Sequence, residues 1–149
     1  MAKFTYKFES ILKLKVQLED NQKNELGKSV KRYEKEKSYL GHINNEMSYC
    51  VERINKELAN TITVNEMLIH NNYIEYLKTA ANRQKEVVKE ALQNVDIQRE
   101  KLIEIVKERK TLEKLKERKY EEYLKEADIE EQKVIDEIIS FKQSEGQVI

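Results

Sequence analysis

Positions able to face a packing partner recur in the second half of the chain at alternating steps of three and four residues. Met67, His70, Ile74, Leu77, Ala81, Gln84, Val88, Ala91, Val95, Gln98, Leu102, Ile105, Arg109 and Leu112 form that column. An average step of 3.5 residues is the heptad seam of a coiled coil, and a disordered segment would not hold such a register over this length. Beyond Leu112 the steps resume from a displaced start, through Tyr120, Leu124, Ala127, Glu131, Val134, Ile138 and Phe141. Such a displacement reads as a stutter that locally unwinds a supercoil.

The first half carries a seam of its own. Leu26, Val30, Tyr33, Lys37, Leu40, Asn44, Met47, Val51, Ile54 and Leu58 keep the rhythm, and an earlier stripe of Phe4, Phe8, Ile11 and Leu18 joins it near Gln22. Lys37 and Asn44 at seam positions would fix the register at some loss of stability. Gly27 and Gly41 weaken a helix by up to about 1 kcal/mol each relative to Ala, so mild bends are expected there.

Between the halves lies ANTITVNEM, residues 59–67. Thr63 followed by Glu66 has the spacing of a capping box, with Ile62 and Met67 at the hydrophobic-staple positions around it. A break this short between two helices forces them antiparallel; the alternative is one continuous helix that dimerises. The expected fold is all-α, a long antiparallel two-helix coiled coil forming a single domain over 1–149. Its first helix spans about 4–60, the hinge about 60–63, the second helix about 64–143, and the frayed end 144–149. At 1.5 Å per residue, a second helix of around 80 residues would be roughly 120 Å long and would overhang the first at its C-terminal end.

Composition supports that picture and removes several function classes. The chain has 38% charged residues, no Pro, no Trp and three Gly, too little turn chemistry for a fold of many short elements. Its 28 basic and 28 acidic residues cancel, which argues against nucleic acid as a partner. No apolar run reaches the roughly 20 residues of a membrane span, and no leader pattern follows Met1. Cys50 is alone, so no intrachain disulfide can form, and a cytoplasmic location is expected.

Candidate chemistry is sparse. His42 and His70 fall on different helices without a carboxylate or thiolate cluster beside them, so no metal site is expected. Cys50 sits in apolar surroundings without a cation to lower its pKa and reads as an inert thiol. No phosphate loop can be built from isolated glycines. No catalytic residue, cofactor or metal is therefore expected. The charges do divide along the second helix, with Lys101–Lys119 net basic and Glu121–Glu137 strongly acidic, a pattern suited to complementary contacts with a charged partner.

Three segments resemble the FliJ family, the central stalk protein of the flagellar type III export ATPase. They are Phe4-x-Tyr6-x-Phe8-Glu9-x-Ile11-Leu12-x-Leu14-Lys15; Thr63 to Leu68 with Asn72 to Leu77; and Arg109-Lys-x-Leu112-Glu-Lys-Leu115-x-Glu-Arg118-Lys119, followed by Tyr123, Glu131-Gln132-Lys133 and Asp136-Glu137. The resemblance covers about 140 residues in one colinear order. It implies a non-enzymatic coiled coil, similar to the stalk of rotary ATPases, whose paired ends enter the pore of the hexameric export ATPase and promote its assembly or activity. Other partners it implies are the export gate membrane protein and export chaperones, at the cytoplasmic face of the membrane. By position, the ATPase-binding group would be Phe8, Ile11, Leu12, Leu14, Lys15, Arg109, Leu112, Leu115, Arg118, Lys119, Tyr123 and Gln132. The gate-binding group would be Tyr39, Ile43, Tyr73, Leu77, Ala80 and Gln84. The rival readings are the stalk of a virulence-type secretion system, a generic dimeric coiled-coil scaffold, and an export chaperone. A monomeric hairpin in isolation would separate the stalk from the scaffold.

Overall fold

The computed structural model describes residues 2–148, with side chains described through Gly146. Met1 and Ile149, the ends of the expected span, lie outside the described residues. Two helices, α1 (Glu9–Leu58) and α2 (Val64–Val148), pack against each other as an all-α helical hairpin. The chain divides into two compact units: Met1–Glu19 with Glu104–Ile149, called here the terminal unit, and Asp20–Ile103, the hinge unit.

The hinge unit is organised by its chain reversal. α1 stops at Leu58, and the Asn60 N–H donates to the Glu57 carbonyl at 3.0 Å. α2 opens on the expected capping box: the Glu66 N–H donates to Thr63 Oγ1 at 3.3 Å, and the Thr63 N–H donates to Glu66 Oε2 at 3.4 Å. These reciprocal bonds satisfy two amides that a helix start would otherwise leave bare. Across the reversal, His70 Nε2 lies 2.9 Å from Glu57 Oε2. Beyond it Ile43, Cys50, Leu77 and Ala81 form a buried cluster flanked by Leu40, Met47, Ile74 and Ala80. Further from the reversal, Gln84 Nε2 donates to the Glu36 carbonyl (2.9 Å) and to its Oε2 (2.6 Å). Gln22 Nε2 likewise donates to the Gln98 carbonyl (3.0 Å) and its Oε1 (2.7 Å). As the α1 number falls the α2 number rises, so the helices run antiparallel.

In the terminal unit the same face is more polar. Lys15 Nζ sits 2.5 Å from Glu108 Oε2, and Lys116 Nζ lies 2.8 Å from Glu9 Oε2. Arg109 Nε approaches Glu19 Oε2 at 2.5 Å. Apolar burial comes from Tyr6 and Leu12, and the Tyr6 hydroxyl donates to the Leu112 carbonyl at 2.9 Å. From Asp128 to Gly146 every residue is exposed.

Several details differ from the sequence-based expectation. α1 starts at Glu9 instead of near residue 4. Residues 4–8 are rich in aromatic and β-branched side chains, which are weak helix formers. They run instead as a strap, with the Phe4 ring 5.2 Å from Tyr120 and 5.5 Å from Tyr123. The α1 seam is also displaced by one residue in one of its two columns. Leu26, Tyr33, Leu40, Met47 and Ile54 face inward as expected, but the second column is Ser29, Glu36, Ile43, Cys50 and Glu57, and Lys37, Asn44, Val51 and Leu58 are exposed. The column continues without a break through Gln22, Glu19, Lys15 and Leu12, leaving Ile11 and Leu18 on the exposed side. Hydrogen-bonded polar layers explain the shift, since a polar seam residue with a partner is tolerated where a bare one is not.

On α2 the expected seam through Leu112 is inward-facing at every position. After it, Lys116, Tyr123 and Ala127 carry the less exposed face without the displaced start, while Tyr120 and Leu124 are exposed. Nor does α2 end near residue 143; it runs to Val148. Both helices pass through their glycines without interruption.

Candidate functional site

The two expected partner-binding groups fall in different units: the ATPase-facing residues in the terminal unit, the gate-facing ones in the hinge unit.

In the terminal unit the twelve candidates separate by environment. Leu12 is buried, and Phe8, Lys15, Arg109, Leu112, Leu115 and Tyr123 are half-buried. Several hold the helix pair together. Arg109 is the centre of a three-residue cluster, with Nη1 donating to Glu113 Oε1 at 2.7 Å and the Glu19 carboxylate on its other side. Hydrogen bonds to Glu113 and then Glu19 raise its pKa further, against a desolvation effect that lowers it. Tyr123 donates from its hydroxyl to the Ala2 carbonyl at 2.8 Å, which anchors the N-terminal strap. Ile11, Leu14, Arg118, Lys119 and Gln132 are exposed and available to a partner. Lys119 Nζ reaches Glu122 at 3.3 Å, and Gln132 Nε2 donates to Asp136 at 3.2 Å.

In the hinge unit, Tyr39, Ile43, Ala80 and Gln84 line one shallow groove of about 580 Å³, together with Tyr76 and Arg83 among others. Of the expected group, Tyr73 and Leu77 lie outside that lining. Leu77 is buried in the core, and Tyr73 donates to Glu46 Oε1 at 3.3 Å. Burial and the Glu46 carboxylate push the Tyr73 phenol pKa up. Sequence reasoning missed Tyr76, which is 67% exposed and stacks on Tyr73 with ring centroids 6.3 Å apart. The signal for it was the three-residue spacing of the two tyrosines.

The structure adds few chemical groups. Cys50 is buried, and burial followed by the Glu46 charge pushes its thiol pKa up, with Arg53 opposing. Among the described residues no group of three or more His, Cys, Asp or Glu could hold a metal ion. Among the described residues, too, no helix is long and apolar enough to cross a membrane. What the surface does offer is charge. Residues 101–119 hold eight Lys or Arg against four Asp or Glu, and 121–137 hold two against eight.

A family model described as "Flagellar FliJ protein" matches residues 4–146 of the chain, which takes in every candidate above. No curated protein matches the chain, and no solved structure does.

Proposed function

The chain belongs to the FliJ family of flagellar proteins, and on that premise we propose that it is a non-enzymatic stalk component of the flagellar type III export apparatus. It binds the hexameric export ATPase through the terminal unit and promotes hexamer assembly and ATP turnover. The hinge unit meets the export gate membrane protein, with export chaperones as further partners, and the chain works at the cytoplasmic face of the flagellar base in support of flagellum assembly and motility. In isolation it is a monomeric hairpin that acts as one domain.

The observation that carries this reading is the exposed surface of the terminal unit. Ile11 and Leu14 are 45% and 51% exposed, and Arg118 and Lys119 of the same unit are exposed as well, so the candidate surface combines a thin apolar stripe with charge. A stalk that meets successive subunits of a ring without locking onto one is served by such a surface better than by a deep apolar patch. The groove lined by Tyr39, Ile43, Ala80 and Gln84 favours the hinge unit for a separate partner. Native mass spectrometry of the purified ATPase, with and without the chain, tests the proposal. The expected result is a six-to-one complex and a larger hexamer fraction; an ATPase whose assembly ignores the chain contradicts it.

A further inference from the structure

On α2 the residues Glu104, Lys107, Lys110, Lys114, Arg118 and Glu121 follow one another at steps of three or four. That spacing puts them on one ridge of the helix. All six are exposed. Neighbouring cations are engaged: Lys15 with Glu108, Arg109 with Glu19 and Glu113, Lys116 with Glu9, and Lys119 with Glu122. Among the described residues the cationic heads of Lys107, Lys110, Lys114 and Arg118 form no ion pair and no hydrogen bond.

We propose that these four side chains form a docking ridge for a short acidic patch on a protein partner. This rests on the stalk reading above and adds the chemistry of the surface that the ATPase must present to α2. Lys107 to Arg118 spans about 16 Å of helix, so the matching acidic patch is of that length.

The bounded length decides the class of partner. A nucleic acid or an anionic membrane presents negative charge over a far greater extent. Here Glu104 and Glu121 close the ridge at both ends, and Glu122, Glu126, Asp128, Glu130 and Glu131 follow. An extended polyanion laid along the helix would meet repulsion within a turn of leaving the ridge, whereas a folded protein can present acidic groups only where the cations stand. The ridge is also uncompensated within the chain. A partner carboxylate therefore does not have to break an internal pair to reach it, and complementary charge of this kind raises the association rate and the specificity.

The test compares two variants that lose the same charge. One carries Lys107→Gln, Lys110→Gln, Lys114→Gln and Arg118→Gln. The other carries Lys31→Gln, Lys35→Gln, Lys85→Gln and Lys89→Gln at exposed positions of the hinge unit. Gln has nearly the helix propensity of Lys and Arg, so both should remain folded, which far-ultraviolet circular dichroism checks. Affinity for the hexameric export ATPase is measured at low and at high salt. The expected result is a loss of about 10-fold or more for the ridge variant at low salt, with a flattened salt dependence, against about 2-fold or less for the control. Equal losses, or none in the ridge variant, overturn the inference while leaving the stalk reading in place. No ATPase binding by the unmodified chain overturns the stalk reading and the partner assignment together. Ridge-dependent binding to a duplex oligonucleotide or to phosphatidylglycerol vesicles, as tight as to the ATPase, overturns the choice of a protein partner.

Discussion

Arg109 and Glu19 meet at a seam position where two aliphatic side chains would ordinarily pack, with Nε and Oε2 2.5 Å apart and the carboxylate side chain only 9% exposed. The Glu113 carboxylate completes the cluster from one turn along α2. Taking one member out of a poorly solvated charge cluster costs the other its partner across the helices, whereas replacing both together is better tolerated. Arg109→Met should therefore lower the urea midpoint, and adding Glu19→Leu should restore most of the loss. Urea unfolding followed by circular dichroism measures both. A double variant no more stable than the single one would show that the pair is not coupled as described.

Gly27 is exposed within α1, and a Cβ added there would meet nothing within 4 Å. Gly27→Ala should raise stability by about 0.5–1 kcal/mol, by reducing the freedom of the unfolded chain. A rise in the urea midpoint at constant slope is the expected readout; a fall would contradict the open space around this position.

Thr63 accepts the Glu66 amide at the start of α2. Thr63→Ala should cost about 1 kcal/mol, and Thr63→Ser should leave stability nearly unchanged, because Ser keeps the accepting oxygen. Hydrogen exchange in the first turn of α2 should accelerate in the alanine variant before exchange elsewhere does.

Cys50 and Tyr73 both have folded-state pKa values raised above their ordinary 9.0 and 10.0, first by burial and then by Glu46. The folded chain holds each proton more tightly than the unfolded chain, so the Cys50 contribution is fully present below pH 9 and the Tyr73 contribution below pH 10, each being lost as pH rises further. Unfolding midpoints at pH 8 and pH 11 should show the decline, and Cys50→Ala combined with Tyr73→Phe should reduce it. Alkylation of Cys50 at pH 8 should be slow relative to a free thiol, because the thiolate is the reactive form. Equal rates would contradict the raised pKa.

The sequence revealed the helical hairpin, the α2 column from Met67 to Leu112 and the Thr63–Glu66 capping box, because each depends on local spacing. It was less informative wherever polar groups do the packing. Glu36 and Glu57 occupy the α1 seam because Gln84 and His70 on α2 partner them. An apolar template prefers Leu58 to Glu57 and has no ground for choosing between Glu36 and Lys37. The N-terminal strap was equally hidden, since its anchors lie more than a hundred positions away, Tyr6 on Leu112 and Tyr123 on Ala2. Of the candidate site, the resemblance picked out positions but not environments. It grouped buried Leu12 with exposed Leu14, and only the fold separates a residue that binds the hairpin together from one that can meet a partner. The unpaired ridge of Lys107, Lys110 and Lys114 was visible only as a net basic segment, because which cations are already engaged depends on the opposite helix.

The stalk reading is tested most directly by titrating the chain into its cognate export ATPase and following ATP turnover under conditions where the enzyme is only partly assembled. Turnover should rise and saturate near one chain per six ATPase subunits. Reversing the charge at the exposed positions Arg118 and Lys119 should shift the titration to higher concentration at low salt. Turnover that stays flat across the titration, with no change in hexamer content, would contradict the proposed role.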